Sequence, residues 1–397
     1  MKTKINLLLS ATAIAFTSSV AAVEPEVYIT DSGIAIIPII NAGYKYDNNI
    51  FSQRSDTKGS GVFTLAPAVM FLLDDGINNF QVDFGVESGT FLQSSDDSYV
   101  IGNLGFTSHL EPSSRSRFDI ELEANKDVEP RGTGITEGSA DSFDEPLLYN
   151  EQLAKLTYEY GSLSSNGRVA VMGSYYNKNY TNFTEITQFR SFERFTLGST
   201  FFYTTNASTD AFFEIKGRAI KYDELQVGTL SRDSDILTAL IGIKWEATAL
   251  TTGSFKVGQE RKEFKNSLRE DFTGVSWEGN VDWKPLTYTT LTLETSRSAK
   301  DPDVEGDYIS ESIYGVNWEH EWNEKVTTTF NYSYIREDYT GRTERLDKSN
   351  NLYIDVNYEF KRWVDIALYL AYTDQNSTNE NIVYDKSVVG LDFTFSL

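Results

Sequence analysis

Cysteine is absent from this 397-residue chain, so it carries no disulfide framework, no thioether lipid anchor and no thiolate zinc site. Histidine is nearly absent: His109 and His320 are the only two. Hydrolytic chemistry usually needs a histidine base beside a serine or carboxylate. His109 lies next to an expected tight turn, and His320 falls on an apolar face between Trp318 and Trp322. Two isolated imidazoles cannot build a metal cluster, and there is no phosphate-binding loop. The expectation is therefore no catalytic residue, no metal, no cofactor and no enzymatic activity.

Long apolar runs are missing after the first few residues. Lys2 and Lys4 precede an apolar stretch, residues 5–16, that ends in Val20-Ala21-Ala22, the pattern of a secretory signal peptide over 1–22 cut after Ala22. Its core is too short to span a bilayer, and no later stretch approaches about 18 unbroken apolar residues. A helical membrane protein is excluded. An excess of positive charge is missing too: 35 Lys and Arg face 58 Asp and Glu, a net charge of −23. Losing two lysines with the signal brings this to 33 − 58, or about −25, and nucleic acid is not an expected partner.

Present instead is alternation. In 389–397, Val389, Leu391, Phe393, Phe395 and Leu397 are apolar, while Gly390, Asp392, Thr394 and Ser396 are small or polar. That is the period of a β-strand with one greasy and one wet face. Similar segments fall at 36–46, 62–73, 80–88, 99–110, 118–124, 153–160, 169–176, 194–203 and 212–222. They continue at 237–245, 255–264, 275–283, 291–297, 313–322, 326–335, 352–360 and 364–372. With an export signal, the repeat predicts an all-β, antiparallel up-and-down transmembrane barrel of about 18 strands over 36–397, behind a short periplasmic lead at 23–35. Apolar faces then meet lipid, and Leu397 stands where such barrels usually end in Phe or Trp. Aromatics, 14% of the chain, sit mostly inside these segments, which suits interfacial girdles. A soluble periplasmic sandwich or solenoid is the alternative; segments of about ten residues weigh against it.

Connections alternate between short and long. Tight turns are expected at Asp74-Asp75-Gly76, Glu111-Pro112-Ser113, residues 204–209, Lys284-Pro285, Asn323-Glu324 and Lys361-Arg362; the longest loop is 127–148. Barrels of this class put turns in the periplasm and loops outside, which makes both termini periplasmic and the location the Gram-negative outer membrane.

The other strand face then lines a lumen. Its candidate residues are Asp83, Glu87, Asp119, Glu121, Glu123, Glu159, Glu278, Asp282, Asp355 and Glu359, with Tyr176, Tyr353 and Tyr369. Arg117, Lys155, Arg168, Arg194, Lys216, Arg218, Lys244 and Lys256 are counterweights in an interior that is acidic in sum. The tyrosines could stack on passing sugars or serve only as good strand formers. Asp47-Asn48-Asn49 and 141–145 offer hard oxygen ligands for calcium but lack spaced ligand positions, so solvated loop is the better reading.

The first strand runs into Gly43-Tyr44-Lys45-Tyr46-Asp47-Asn48-Asn49-Ile50-Phe51. This resembles the opening of outer-membrane β-barrel porins of exopolysaccharide operons, a Tyr-x-Asp-Asn-Ile-like motif carried here by Tyr44, Tyr46, Asp47, Asn48, Asn49 and Ile50 with one extra asparagine. Leu65-Ala66-Pro67-Ala68-Val69 resembles their second strand. The resemblance implies export of an exopolysaccharide chain through the barrel with a periplasmic polysaccharide-export protein. It also implies outer-membrane lipid around the wall and insertion by the barrel-assembly machinery. The alternative is a general diffusion porin for small cations or oligosaccharides. A surface adhesin acting through its long loop is a third reading.

Overall fold

A computed structural model describes residues 27–205, 209–248, 250–304, 306–342 and 344–396. The signal segment, the first residues of the lead, part of the 204–209 turn and Leu397 lie outside the described residues. A two-residue strand, β1 (Tyr28–Ile29), pairs with the start of β2 (Ala35–Asp47). There follow β3 (Ser60–Asp74), β4 (Asn79–Phe91), β5 (Tyr99–Ser113), β6 (Ser116–Glu129), β7 (Leu147–Tyr160), β8 (Gly167–Tyr180), β9 (Phe192–Thr204) and β10 (Thr209–Tyr222). The second half holds β11 (Ser234–Thr248), β12 (Thr251–Phe264), β13 (Phe272–Leu286), β14 (Thr289–Lys300), β15 (Tyr308–Asn323), β16 (Val326–Thr340), β17 (Arg345–Lys361), β18 (Val364–Ser377) and β19 (Tyr384–Ser396).

Each strand from β2 to β19 pairs antiparallel with its neighbour in sequence. The last closes on the first, from Val388 opposite Asp47 to Ser396 opposite Ile39. The eighteen strands β2–β19 therefore form the closed up-and-down barrel that alternation predicted, with no open edge to template aggregation.

Residues directly opposite across a ladder share a face, so the registers fix which side chains point out. The apolar set is exposed on the outer surface: Leu197 is 68% accessible, Ile241 64% and Leu104 51%, values that only lipid makes tolerable. His320 lies on that face at the turn end, where its Nδ1 is 2.8 Å from Thr289 Oγ1 and its ring packs between Trp318 and Trp322. This is an interfacial aromatic belt.

Strands run longer than the alternation implied. β17 starts at Arg345 rather than 352, and the expected 127–148 loop shrinks to 130–146 because Asp127, Val128 and Glu129 still pair with Tyr149, Leu148 and Leu147. Above the lipid band both faces can be polar, so the sequence signal stops while the backbone ladder continues. Pro112 and Pro285 also sit elsewhere than expected. Each lies inside a strand, at a register shift just before its turn, where a missing N–H removes no ladder bond that the bulge had not already lost.

Turns gather at one end of the barrel and loops at the other. The Asp74–Asn79 turn shows how local chemistry sets them: Asp74 Oδ1 accepts from Gly76 N at 2.7 Å, Asp75 Oδ1 accepts from Ile77 N and Asn78 N, and Gly76 takes φ 87°.

Candidate functional site

The lumen wall and its loop-end mouth are the candidate site. Every acid and tyrosine named above as lumen-lining occupies an inward register position. On β4, Gln81 donates to Asp83 at 3.0 Å and the Tyr99 hydroxyl to Glu87 at 2.8 Å. Asp119 on β6 meets His109 Nδ1 at 2.6 Å, and Lys155 donates to Glu121 at 2.8 Å, while Glu123 stands opposite Leu153. Glu159 is held between Arg117 at 2.6 Å and Arg168 at 2.9 Å. Across the ring, Lys256 reaches Glu278 at 3.1 Å, Thr292 donates to Asp282 at 2.7 Å, and Glu359 faces Asp365 across the β17–β18 ladder. Asp355 stands opposite Tyr369, whose ring lies 5.8 Å from that of Tyr353. Tyr369 also covers Gly390 on β19 so closely that any Cβ there would enter the ring.

These residues do not converge on one centre. Charge is instead divided by sector, which composition alone could not reveal. Inward cations crowd β8–β12, where Arg168, Lys178, Arg194, Lys216, Arg218, Lys244, Lys256 and Lys262 point into the barrel against Asp210, Glu214 and Glu260. The sector from β15 through the seam to β4 is dominated by acids such as Glu319, Asp355, Asp392, Asp47, Glu87 and Asp83. An interior acidic in sum thus has one basic wall.

The opening motif serves the seam. Asp47 Oδ1 accepts from Asn49 N at 2.9 Å, and Asn49 Nδ2 donates to Gln53 O at 2.7 Å and Asp385 O at 2.9 Å. Asn48 exchanges two bonds with Ser387, and Lys386 pairs with Asp47 at 2.8 Å. Asn49 is 1% exposed and Ile50 packs with Phe51 and Ala140, while Tyr44 and Tyr46 face outward. The motif ties the first loop to the last strand. Its oxygens are engaged in hydrogen bonds, and no three-acid or histidine metal cluster occurs among the described residues.

Sequence reasoning missed the mouth. Segment 130–146 extends from β6 past the ends of β5, β4, β3, β2, β19 and β18. Arg131 grips Asp97 with Nε at 2.7 Å, donates to Phe143 O at 2.7 Å and lies 4.2 Å over the Phe51 ring. Glu137 reaches Arg345 of β17 at 2.8 Å, and Gln53 donates to Asp141 at 3.0 Å. Gly132 takes φ 85° against the Phe51 carbonyl, where a Cβ would overlap the backbone. A second segment at the mouth, residues 301–304 and 306–307, is collected by arginines from three other loops. Arg190 donates to Asp303 O at 2.5 Å, Arg232 to Pro302 O and Val304 O, and Arg269 to Asp307 at 2.8 Å.

Burial sets the ionisation here. It pushes Glu137 up to about 7 although Arg345 opposes the shift, and it pulls Arg190 down to about 10 with help from nearby Arg232. The only hint in the sequence was the glycine and proline content of this long loop; the arginines that receive it are scattered over distant positions.

The family model described as "Putative beta-barrel porin 2" matches residues 34–397. Among solved structures, OccAB3 of Acinetobacter baumannii is 12% identical, with TM-score 0.47 over 92% of this chain and 99% of that one. A BenF-like porin from Pseudomonas fluorescens Pf-5 is 11% identical, with TM-score 0.48 over 91% and 99%. The siderophore receptor PirA of Pseudomonas aeruginosa is 8% identical, with TM-score 0.44 over 91% and 80%. A comparison with curated proteins finds no match.

Proposed function

This chain belongs to the family described as "Putative beta-barrel porin 2", an outer-membrane β-barrel of porin type, and from that premise we propose that it is a loop-guarded channel for hydrophilic solutes, saccharides among them. The observation that carries this reading is the combination of a charged inner wall with a mouth crossed by docked loop segments of the barrel itself. We read the protein as non-enzymatic, with the tight turns and both termini in the periplasm and the loops outside.

Purified protein in a planar bilayer should show steady conductance without any partner. Complete silence would reject the diffusion reading.

Exit of an exopolysaccharide chain, assisted by a periplasmic polysaccharide-export protein, is the second reading. One observation favours it: the mouth is held by ion pairs and small apolar clusters, so undocking two loops would clear the passage. A clean deletion strain tests it. Loss of secreted polymer with retention in the periplasm supports an exit duct, whereas normal secretion rejects it.

A further inference from the structure

The basic wall contains one arginine that the framework does not use. Arg194 is an inward residue of β9, half-buried, and among the described residues it forms no hydrogen bond and no ion pair. Its neighbours are engaged: Arg218, diagonal to it on β10, donates to Glu260 at 2.8 Å, and Lys256 pairs with Glu214 and Glu278. Arg194 instead lies over the Tyr176 ring, 4.6 Å from its centroid. Tyr176 is fixed by donating its hydroxyl to Glu151 at 2.5 Å. Two more rings continue the row, Phe192 at 5.6 Å from Tyr176 and Tyr222 at 5.5 Å from Phe192. Arg218 Nε, two residues along the ladder, is buried with no acceptor.

A guanidinium held by stacking keeps its N–H fork free, and that fork matches a carboxylate in two parallel bonds. The half-buried rings beside it, Phe192 and Tyr222, offer apolar surface to the C–H face of a sugar. The two features together select a sugar that carries its own carboxylate. The acidic sector across the barrel repels the same ligand and confines it to this wall.

We propose that Arg194, Tyr176, Phe192 and Tyr222 form a binding subsite for uronate-type sugars in the loop-end half of the lumen. This rests on the channel reading and narrows its solute class. An interior acidic in sum is compatible with an anionic ligand here, because that sum averages over two walls of opposite sign.

The test is titration of the full-length barrel in detergent, followed by tryptophan fluorescence or calorimetry, with a glucuronate oligosaccharide and a glucose oligosaccharide of equal length. The acidic probe should bind at least about tenfold more tightly, with the margin shrinking at high salt. Arg194→Gln should remove the margin by weakening the acidic probe to the level of the neutral one, Arg194→Lys should keep part of it, and Tyr176→Leu should weaken both probes. Since Arg194 holds no framework contact beyond Tyr176, the Gln variant should fold, as its far-UV circular dichroism will show. Equal affinities in the unaltered protein, or a margin that survives Arg194→Gln, would overturn the subsite. The same samples in bilayers separate the two ideas: conductance without acidic binding removes the subsite alone, and binding without conductance removes the channel reading alone.

Discussion

Asn49 illustrates what one buried amide can hold. Its side chain makes three hydrogen bonds, two to the first loop and one to the last strand, inside a site with 1% exposure. Asn49→Ala leaves the Gln53 N–H and the Gln53 and Asp385 carbonyls without these partners and should lower stability by about 1–3 kcal/mol, read as an earlier thermal midpoint with strand content intact. Glu137 gives a pH dependence whose sign follows from its burial. It titrates near 7 when docked and near 4.5 when free, so docking of its loop is strongest below about pH 4.5 and weakens as pH rises through about 7. Arg345 and Asp347 of β17, Glu337 and Tyr339 of β16 and Tyr384 of β19 face it; desolvation, reinforced by the like charges of Asp347 and Glu337, outweighs Arg345. Conductance should therefore increase between pH 5 and pH 8. Glu137→Gln should flatten that rise; an unchanged profile in the variant would assign the pH response to another group.

Among the elements, the strands were legible and the mouth was not. A membrane strand must alternate, because lipid accepts only one of its faces, and each of the eighteen segments carries that mark in a window of about ten residues. Where β6 and β7 rise above the lipid, as at Asp127 opposite Tyr149, the constraint lapses and the boundaries could not be read. The 130–146 segment is harder still, since its partners Asp97, Phe51 and Arg345 are spread over most of the chain. Its docking nonetheless depends on few contacts. Arg131→Ala leaves Asp97, 8% exposed, without its partner and should weaken docking by about 3–5 kcal/mol, enough to undock the loop. Gly132→Ala forces a Cβ into the Phe51 carbonyl and should act in the same direction. Limited proteolysis of the folded barrel checks both: cleavage confined to 130–146 should accelerate while the strands stay protected. Unchanged cleavage would mean that the loop holds without them.

At the scale of the whole molecule, summed composition misled where placement informed. The inward residues predicted a passage acidic in sum with scattered basic counterweights, yet the closed barrel gathers Arg168, Arg194, Lys216 and Lys256 on one side and Glu319, Asp355 and Asp392 on the other. The individual inward acids were readable from alternation because face follows parity. Their separation into sectors was not, because it depends on which strands lie opposite each other after closure. A solute crossing such a lumen feels a transverse field, and the mouth above it is narrowed by two segments held in place by arginines. The central claim is that the barrel is a water-filled passage limited at that mouth. It is tested most directly by single-channel conductance of the full-length protein beside a variant in which a short Gly-Ser link joins Glu129 to Leu147. The account predicts a small steady conductance in the full-length protein and a severalfold larger one in the variant. Silence from both, or equal conductance from the two, would contradict it.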